Sequence, residues 1–402
     1  MNATRRWWVC LILAVAGSSF AAPAAPRYKL VAYYLASPTP ARYFSPDKIP
    51  AKRITHLNYA FASIAGGEIV VGDPALDISG PDNFSKLRQL KQRHPHLKTL
   101  IAVGGWLGSG AFSDVALTAQ SRQRFADSGV AFIRKHGFDG IDIDWEFPVE
   151  GGMPENKRRP QDKRNFTLLL ETLRARLDAA GRADRRQYVL TAAVGNNEGY
   201  LRNTETKAAA SHLDWLNVMA YDMNGTWNKT AGHLAPLYRD PAMQVSGANP
   251  RNTVADLVDM FLDAGVPARK LVLGVPFYGY SWRQCGAARH GEYQTCEGAG
   301  RGSWEQGTLD YTDIAGQLVN RNGFTRHWNA AARAPYVYNP ATGEFVTYED
   351  PQSLRAKLRF VKQRRLGGVM FWELTGDRQH QLLATLSQGL LPAAANSPEP
   401  KR

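Results

Sequence analysis

The sequence contains only three cysteines and nine histidines among its 402 residues, and the histidines are scattered along the chain. A metal-dependent hydrolase needs several such ligands at defined spacing, so we expect no metal site. The formal net charge is +13, yet there is no long tract of lysine and arginine, so we expect no nucleic-acid partner. The composition, 44% apolar and 21% charged, is typical of a globular protein. We expect a monomer without a cofactor.

The sequence also lacks internal repeats, and the apolar run at its N-terminus is short. The apolar run of residues 7–16 follows two arginines, precedes small residues and is too short to span a bilayer on its own. This pattern is typical of a signal peptide cleaved after Ala21 or after Ala24. We expect residues 1–21 to be removed, and the mature chain to be secreted to the extracellular space or the periplasm without a membrane span.

Cysteine is scarce, and its placement is informative. Cys10 lies in the predicted signal peptide, so the mature chain retains Cys285 and Cys296, with ten residues between them. In a chain that enters an oxidising compartment, a disulfide between these two residues is favoured. A metal pair is disfavoured because no further cysteine is present in the mature chain.

Four acidic residues occur in the otherwise apolar segment FDGIDIDWEFP, residues 138–148. In an extended strand, Asp142, Asp144 and Glu146 share one face, while the alternating isoleucines and tryptophan share the other. Because three close carboxylates repel one another and are costly to bury as anions, at least one should hold a proton. A neutral acid beside a charged one is what acid-catalysed cleavage requires. An acidic surface edge or a calcium loop fits this spacing less well.

Strand-like and helix-like segments alternate along the chain, which predicts an α/β fold. Several strands are continuous apolar runs, as expected when helices cover a parallel sheet. Eight such strands predict a (β/α)8 TIM barrel, whose active site lies at the carboxyl ends of the strands. The acidic strand is the fourth, and Glu146 lies at that end. The predicted strands are residues 29–35, 55–61, 99–103, 140–145, 188–194, 215–219, 271–276 and 369–372.

One connection is too long for a strand–helix loop. Between Phe277 and Leu366 lie 88 residues, whereas a loop between a strand and a helix usually contains only a few. Residues 336–339 and 344–348 flank a Pro-Ala-Thr-Gly turn and predict a β-hairpin. We interpret residues 278–365 as a small α+β insertion between strands seven and eight, together with the start of the last barrel helix. Residues 27–277 and 366–391 would form the barrel, and the Ala/Pro-rich residues 392–402 a disordered tail.

These motifs resemble glycoside hydrolase family 18, the chitinase family, and in particular its bacterial-type members with an α+β insertion. The resemblance covers about residues 28 to 390. The family's DxxDxDxE signature is matched by Asp139, Asp142, Asp144 and Glu146, and its Met-x-Tyr-Asp motif by Met219, Tyr221 and Asp222. Weaker matches are Tyr33-Tyr34, Gly104-Gly105-Trp106, Pro276-Phe277-Tyr278-Gly279 and Trp372.

The resemblance implies a chitinase that cleaves β-1,4 bonds between N-acetylglucosamine units of chitin or chito-oligosaccharides with retention. The family has no enzymic nucleophile, since the acetamido oxygen of the substrate attacks the anomeric carbon. Glu146 would be the general acid and base, and Asp144 would orient the acetamido group. Asp142 would hold Asp144 and adjust how a proton is shared between them. Tyr221 and Asp222 would bind the acetamido oxygen and the sugar.

The resemblance also implies contacts to the sugars. Trp372 would form the floor under the reacting sugar, and Trp106 a stacking surface near the cleaved bond. Only one of Tyr33 and Tyr34 can face the barrel interior, and the match to the family favours Tyr33. Tyr278 would line the cleft or pack the insertion. The substrate-binding candidates are Tyr33, Phe61, Trp106, Asp139, Phe147, Met219, Tyr278 and Trp372.

Two positions depart from the commonest family pattern. Ala102 stands where a serine hydroxyl normally helps to satisfy the innermost acid, so the proton arrangement around Asp142 is expected to differ. Phe147 stands where many members have tyrosine. We expect both departures to affect the pH optimum and the rate.

Other functions remain open on the sequence alone. The chain could hydrolyse N-acetylglucosamine linkages in peptidoglycan or in N-glycan cores. A non-catalytic chitin-binding lectin on the same fold is the second alternative, but family lectins usually lose the glutamate that is present here as Glu146. Endo and exo action are not distinguished by the sequence.

Overall fold

The computed structural model describes residues 28–37, 39, 42–245 and 252–392. The predicted signal peptide and all but the first residue of the predicted tail lie outside these ranges. Among the described residues, no helix is both long and apolar enough to cross a membrane.

Eight parallel strands form a closed barrel, which confirms the predicted fold class. Each strand pairs with its neighbours in chain order, and β1 pairs with both β2 and β8 to close the barrel. The second strand is longer than predicted and continues into an antiparallel hairpin with Glu68–Val70. The barrel strands are β1 (Lys29–Leu35), β2 (His56–Ala65), β3 (Lys98–Gly104), β4 (Gly140–Asp144), β5 (Val189–Val194), β6 (Trp215–Val218), β7 (Leu271–Pro276) and β8 (Gly368–Trp372).

Helices cover the outside of the barrel because their apolar stripes pack on the outward side chains of the strands. Thr118 and Ser121 form a capping box at the start of the helix Ala119–His136, and Gly137 ends this helix at φ 79°. The helices of the barrel are Asn83–Arg93, Phe112–Leu117, Ala119–His136, Asp162–Asp184, Glu198–Arg202, Thr206–His212, Pro241–Val245, Val254–Asp263, Pro351–Gln363 and Gln381–Leu390.

The acidic strand β4 has the predicted alternation. Ile141 faces Gly129 of the helix Ala119–His136, and Trp145 stacks on Phe112 at 5.4 Å between ring centroids. Asp142, between the two isoleucines, faces the barrel interior, where it is fully buried. The alternation therefore brings the carboxylates inside the barrel, where only polar partners on other strands can satisfy them.

The insertion between β7 and β8 is an antiparallel sheet that packs against the loop following β6. Backbone hydrogen bonds join Cys296 to Lys229 and Ala231 to Gln294, and Cys285 and Cys296 form a disulfide. The helix Pro351–Gln363 belongs to the barrel, immediately before β8. The strands of the insertion are Tyr278–Arg283, Gly298–Ala299, Thr308–Asp310, Thr325–Asn329, Ala334–Asn339 and Glu344–Thr347, and it also contains the short helix Tyr311–Asp313.

Candidate active site

Asp142 is held at the bottom of the site by neutral donors from three other strands. Its carboxylate accepts hydrogen bonds from Tyr33 Oη at 2.6 Å, Thr191 Oγ1 at 2.5 Å and Asn217 Nδ2 at 3.0 Å. Complete burial raises the pKa of Asp142, although these donors oppose the increase. The site thus satisfies this acid without a hydroxyl at position 102.

Asp144 lies two residues further along β4 and is 4% exposed. Its Oδ1 atom is buried and has no hydrogen-bond partner within the described part of the chain. Burial, together with the charges of Glu146 and Asp142, raises the pKa of Asp144 well above its usual value. A buried oxygen without a partner is costly, so Asp144 is prepared to bind a polar group supplied from outside the protein.

Glu146 follows the end of β4 and is partly exposed to the mouth of the barrel. Its backbone is fixed on both sides, because its N–H donates to Ser109 Oγ at 2.9 Å and its carbonyl accepts from Asn156 Nδ2 at 2.9 Å. Burial and the charge of Asp222 raise the pKa of Glu146 to about 8. A glutamic acid with this pKa carries a proton at neutral pH and can act as a general acid.

The residues after β6 form the next side of the site. Tyr221 is buried, and Asp222 adopts a left-handed backbone conformation at φ 57°. Tyr278, at the start of the insertion, donates a hydrogen bond from its hydroxyl to Asp222. Burial raises the pKa of Asp222, and this hydrogen bond opposes the increase. Met219 is partly exposed beside them.

Aromatic rings form the floor and the rim. The Trp372 ring stacks on Phe61 with centroids 5.7 Å apart and lies 5.6 Å from the Tyr33 ring. Trp106 is 49% exposed at the rim. Partly exposed indole faces in a cleft suit the apolar faces of sugar rings. Phe147 is partly exposed and contacts the edge of the Tyr200 ring at 6.0 Å.

Gly104 and Gly105 allow Trp106 to reach the rim. Both have positive φ, 107° and 75°. A Cβ atom at Gly104 would lie 2.2 Å from the carbonyl oxygen of Asp144, and one at Gly105 would lie 2.6 Å from the Phe61 ring. Larger residues would therefore displace either the acidic strand or the floor.

The structure gives two of the predicted substrate contacts other partners. Asp139 precedes β4, at the opposite end from Glu146, where it pairs with Lys91 at 2.6 Å and with Arg186. Its carboxylate also accepts from the Thr99 N–H at 2.8 Å, so it joins strand ends and does not reach the cleft. Tyr33 faces the interior as preferred, but it is only 1% exposed, and its hydroxyl is used by Asp142.

Several site residues were not predicted from the sequence. Thr191 and Asn217 bind Asp142, while Ser109 and Asn156 fix the Glu146 backbone. Their polar side chains give no signal until the fold brings their strands and loops together. Trp227 is 61% exposed and lies against Tyr280 at 5.4 Å. Its only sequence signal was its position five residues after Asp222.

Among the described residues, no three His, Cys, Asp or Glu side chains form a group that could hold a metal ion. The groups at the mouth of the barrel are arranged for proton transfer. A neutral glutamic acid faces the mouth, a buried aspartate with a free oxygen lies beside it, and tyrosine and tryptophan rings surround both.

The chain is similar to several known proteins. A sequence model of glycosyl hydrolases family 18 matches residues 29–377. Chitinase A1 of Niallia circulans is 43% identical over 435 residues, covering 94% of this chain and 62% of that protein, so the chain spans less than two thirds of this relative. The structure of chitinase ChiA74 from Bacillus thuringiensis matches with a TM-score of 0.87 at 38% identity, covering 90% of this chain and 69% of that chain.

A third match differs in its described activity. A glycoside hydrolase family 18 N-acetylglucosaminidase from Paenibacillus barengoltzii matches with a TM-score of 0.79 at 36% identity. The match covers 90% of this chain and 100% of that chain.

Proposed function

Because the chain belongs to glycosyl hydrolase family 18, we propose that it is a secreted chitinase. It hydrolyses β-1,4 bonds between N-acetylglucosamine units of chitin and chito-oligosaccharides, with retention of the anomeric configuration. The relatives described as chitinases in Niallia circulans and Bacillus thuringiensis support this substrate.

The observation that carries the proposal is the placement of Glu146 at the mouth of the barrel beside Asp144, whose buried Oδ1 has no partner among the described residues. With a pKa of about 8, Glu146 holds a proton for the glycosidic oxygen of the leaving sugar at neutral pH. The free, buried Oδ1 of Asp144 can accept the acetamido N–H of the substrate. The acetamido oxygen then attacks the anomeric carbon from within the same sugar, which requires no second molecule.

The remaining residues complete the cycle. As the bond to the leaving group breaks, positive charge develops on the acetamido nitrogen, and Asp144 stabilises this charge when ionised. Asp142 takes part by sharing the proton that Asp144 gives up. After the leaving sugar departs, the ionised Glu146 removes a proton from water, and this water opens the cyclic intermediate. Each of the two substitutions inverts the configuration of the same anomeric carbon, so the overall configuration is retained.

The test uses chito-oligosaccharides and partially deacetylated chitosan. We expect NMR of fresh products to show the β-anomer, and cleavage only where the sugar on the non-reducing side of the bond is acetylated. Cleavage after a free glucosamine unit would rule out attack by the acetamido oxygen. Turnover of peptidoglycan or N-glycans with no turnover of chitin would replace the proposed substrate by one of these polymers.

Exo release of single N-acetylglucosamine units is a second candidate, favoured by the similarity to the Paenibacillus barengoltzii N-acetylglucosaminidase. The product profile on a hexamer separates the two. Dimers and longer products indicate a chitinase, whereas monomer alone from the first time point indicates an N-acetylglucosaminidase.

Secretion is tested by N-terminal sequencing of the mature protein. Cleavage at the predicted sites gives a chain that begins at Ala22 or at Ala25. An intact N-terminus on an active intracellular protein would contradict export.

A further inference from the structure

The positive charge of the protein is concentrated at one end of the barrel. Seven segments connect the helices or the short turn at residues 51–53 to the strands β2–β8. Together they contain fifteen lysines and arginines and four aspartates, a net formal charge of +11 out of the +13 of the whole chain. These segments, which we call the basic face, are residues 51–55, 91–98, 134–139, 182–188, 212–214, 263–270 and 362–367.

The basic face lies opposite the candidate active site. Because the eight barrel strands are parallel, all of their amino ends meet at one end of the barrel. At the opposite end, Asp144 and Trp372 are the last residues of their strands, and Glu146 and Asp222 follow the carboxyl ends of theirs. The loops on the active-site side have a different charge. Residues 61–82, for example, contain four acidic residues and no lysine or arginine.

Most cations of the basic face are exposed and unpaired. Three of its four aspartates are already used: Asp139 by Lys91 and Arg186, Asp184 by Arg134, and Asp214 by Arg174 and the Leu190 N–H. Ten cations have neither an ion pair nor a side-chain hydrogen bond within the described part of the chain, and all but the partly exposed Arg53 are exposed. They are Lys52, Arg53, Arg93, Lys98, Lys135, Arg182, Arg185, Arg269, Lys362 and Arg365.

The basic face is charged without being apolar. The large apolar side chains that are exposed in the described structure lie elsewhere: Ile78, Trp106, Leu107, Leu117, Trp227, Tyr238 and Trp304. Apart from imidazole rings such as that of the exposed His96, the described part of the face offers no aromatic ring on which a nucleic-acid base could stack and no large exposed apolar side chain that could enter a bilayer. What it offers is an array of guanidinium and ammonium groups, of which six in ten are arginines suited to carboxylate and phosphate groups.

We propose that the basic face docks the protein on a flexible anionic polysaccharide that carries carboxylate or phosphate groups. Keeping ten like charges unpaired at one end of a fold is costly through their mutual repulsion, and a polyanion removes that repulsion when it binds. Docking through the strand amino ends leaves the strand carboxyl ends facing away from the anionic polymer. A bound enzyme can then act on a second, neutral polymer.

The test measures binding of fluorescent polyglucuronate and of inorganic polyphosphate by anisotropy at 50 to 300 mM salt. In the first variant, Arg182→Gln, Arg269→Gln and Arg365→Gln remove three exposed cations from separate segments of the basic face. In the matched control, Arg283→Gln, Arg333→Gln and Arg355→Gln remove three exposed arginines elsewhere. Each set removes three exposed positive charges, and each contains one arginine with φ 54°, Arg365 in the first set and Arg333 in the second. Both variants are checked for an unchanged melting temperature.

We expect the first variant to bind both polyanions about tenfold more weakly than the wild-type protein at 50 mM salt. The slope of log affinity against log salt concentration should fall in magnitude by about 2. The control should change by less than about threefold, as expected when only the net charge falls. Equal losses in both variants, or no binding by the wild-type protein, would overturn the docking surface. Tighter binding to a DNA duplex, or binding to phosphatidylglycerol vesicles alone, would overturn the assigned partner. Since no readout involves hydrolysis, the result stands whether or not the proposed chitinase activity is found.

Discussion

The hydroxyl of Tyr278 donates a hydrogen bond to Asp222, and through it the insertion contacts the catalytic end of the barrel. Tyr278 is the first residue of the insertion sheet, while Asp222 follows β6. The charge of Asp222 in turn raises the pKa of Glu146. The insertion therefore influences the acid that the barrel provides.

Replacing Tyr278 by phenylalanine should move the alkaline limb of the pH–rate profile toward lower pH. The lost hydrogen bond favoured ionised Asp222, so the pKa of Asp222 rises further and its charge no longer raises the pKa of Glu146 as strongly. Glu146 then loses its proton at a lower pH. We expect a shift of up to about one pH unit and a turnover reduced about tenfold. An unchanged alkaline limb in Tyr278→Phe would disprove this link.

Replacing Glu146 by glutamine should remove the proton donor while preserving the fold. Turnover should fall by about 10²- to 10⁴-fold or more, which is the usual contribution of a general acid, whereas oligosaccharide binding measured by calorimetry should persist. Glu150→Gln is the matched control, because Glu150 is exposed four residues further on and its carboxylate has, among the described residues, only a long, solvent-exposed pairing with Arg202. Comparable turnover in the two variants would remove Glu146 from its proposed role.

The donors to Asp142 should set the acid limb of the pH–rate profile. Thr191→Val removes one donor, which raises the pKa of Asp142 and moves the acid limb to higher pH, while Thr191→Ser should behave like the wild type. Ala102 pairs with Asp142 in the register of β3 and β4. A hydroxyl in Ala102→Ser, added to Thr191→Val, should therefore restore the original limb. If Thr191→Val has no effect on the limb, Asp142 does not control it.

Lowering the pH should weaken the attachment of the insertion to the barrel, because Glu292 then gains a proton. Burial alone would raise the pKa of Glu292, but hydrogen bonds from His233, Asn329 and Arg289 lower it to about 2 from its model-compound value of 4.5. Because the folded-state pKa is depressed, the stabilisation is present above pH 4.5 and is lost as the pH falls through about 2. Its size is about 3 kcal/mol.

This loss is measured by urea unfolding between pH 6 and pH 2. The free energy of unfolding of wild type should exceed that of Glu292→Gln above pH 5, and the two values should converge near pH 2. Glu155→Gln, at an exposed position, serves as the control and should follow the wild type throughout. A constant difference between wild type and Glu292→Gln over the whole range would show that ionisation of Glu292 contributes nothing.

The sequence by itself determined the barrel, the place of the insertion and the face of the acidic residues. These follow from local periodicity, because a period of two in β4 puts Asp142 and Asp144 on one side whatever the rest of the chain does. The continuous apolar strands required a sheet covered on both faces, and the 88 residues between Phe277 and Leu366 exceeded any ordinary loop.

Only the tertiary structure decided which side chains meet across the barrel. It placed Asp139 with Lys91 at the wrong end for substrate, joined Thr191 and Asn217 to Asp142, and brought Tyr278 to Asp222. It also gathered the cations of seven separate segments onto one face. The physical reason is that closing a barrel makes neighbours of residues far apart in the chain, and a local sequence pattern contains no information about such contacts.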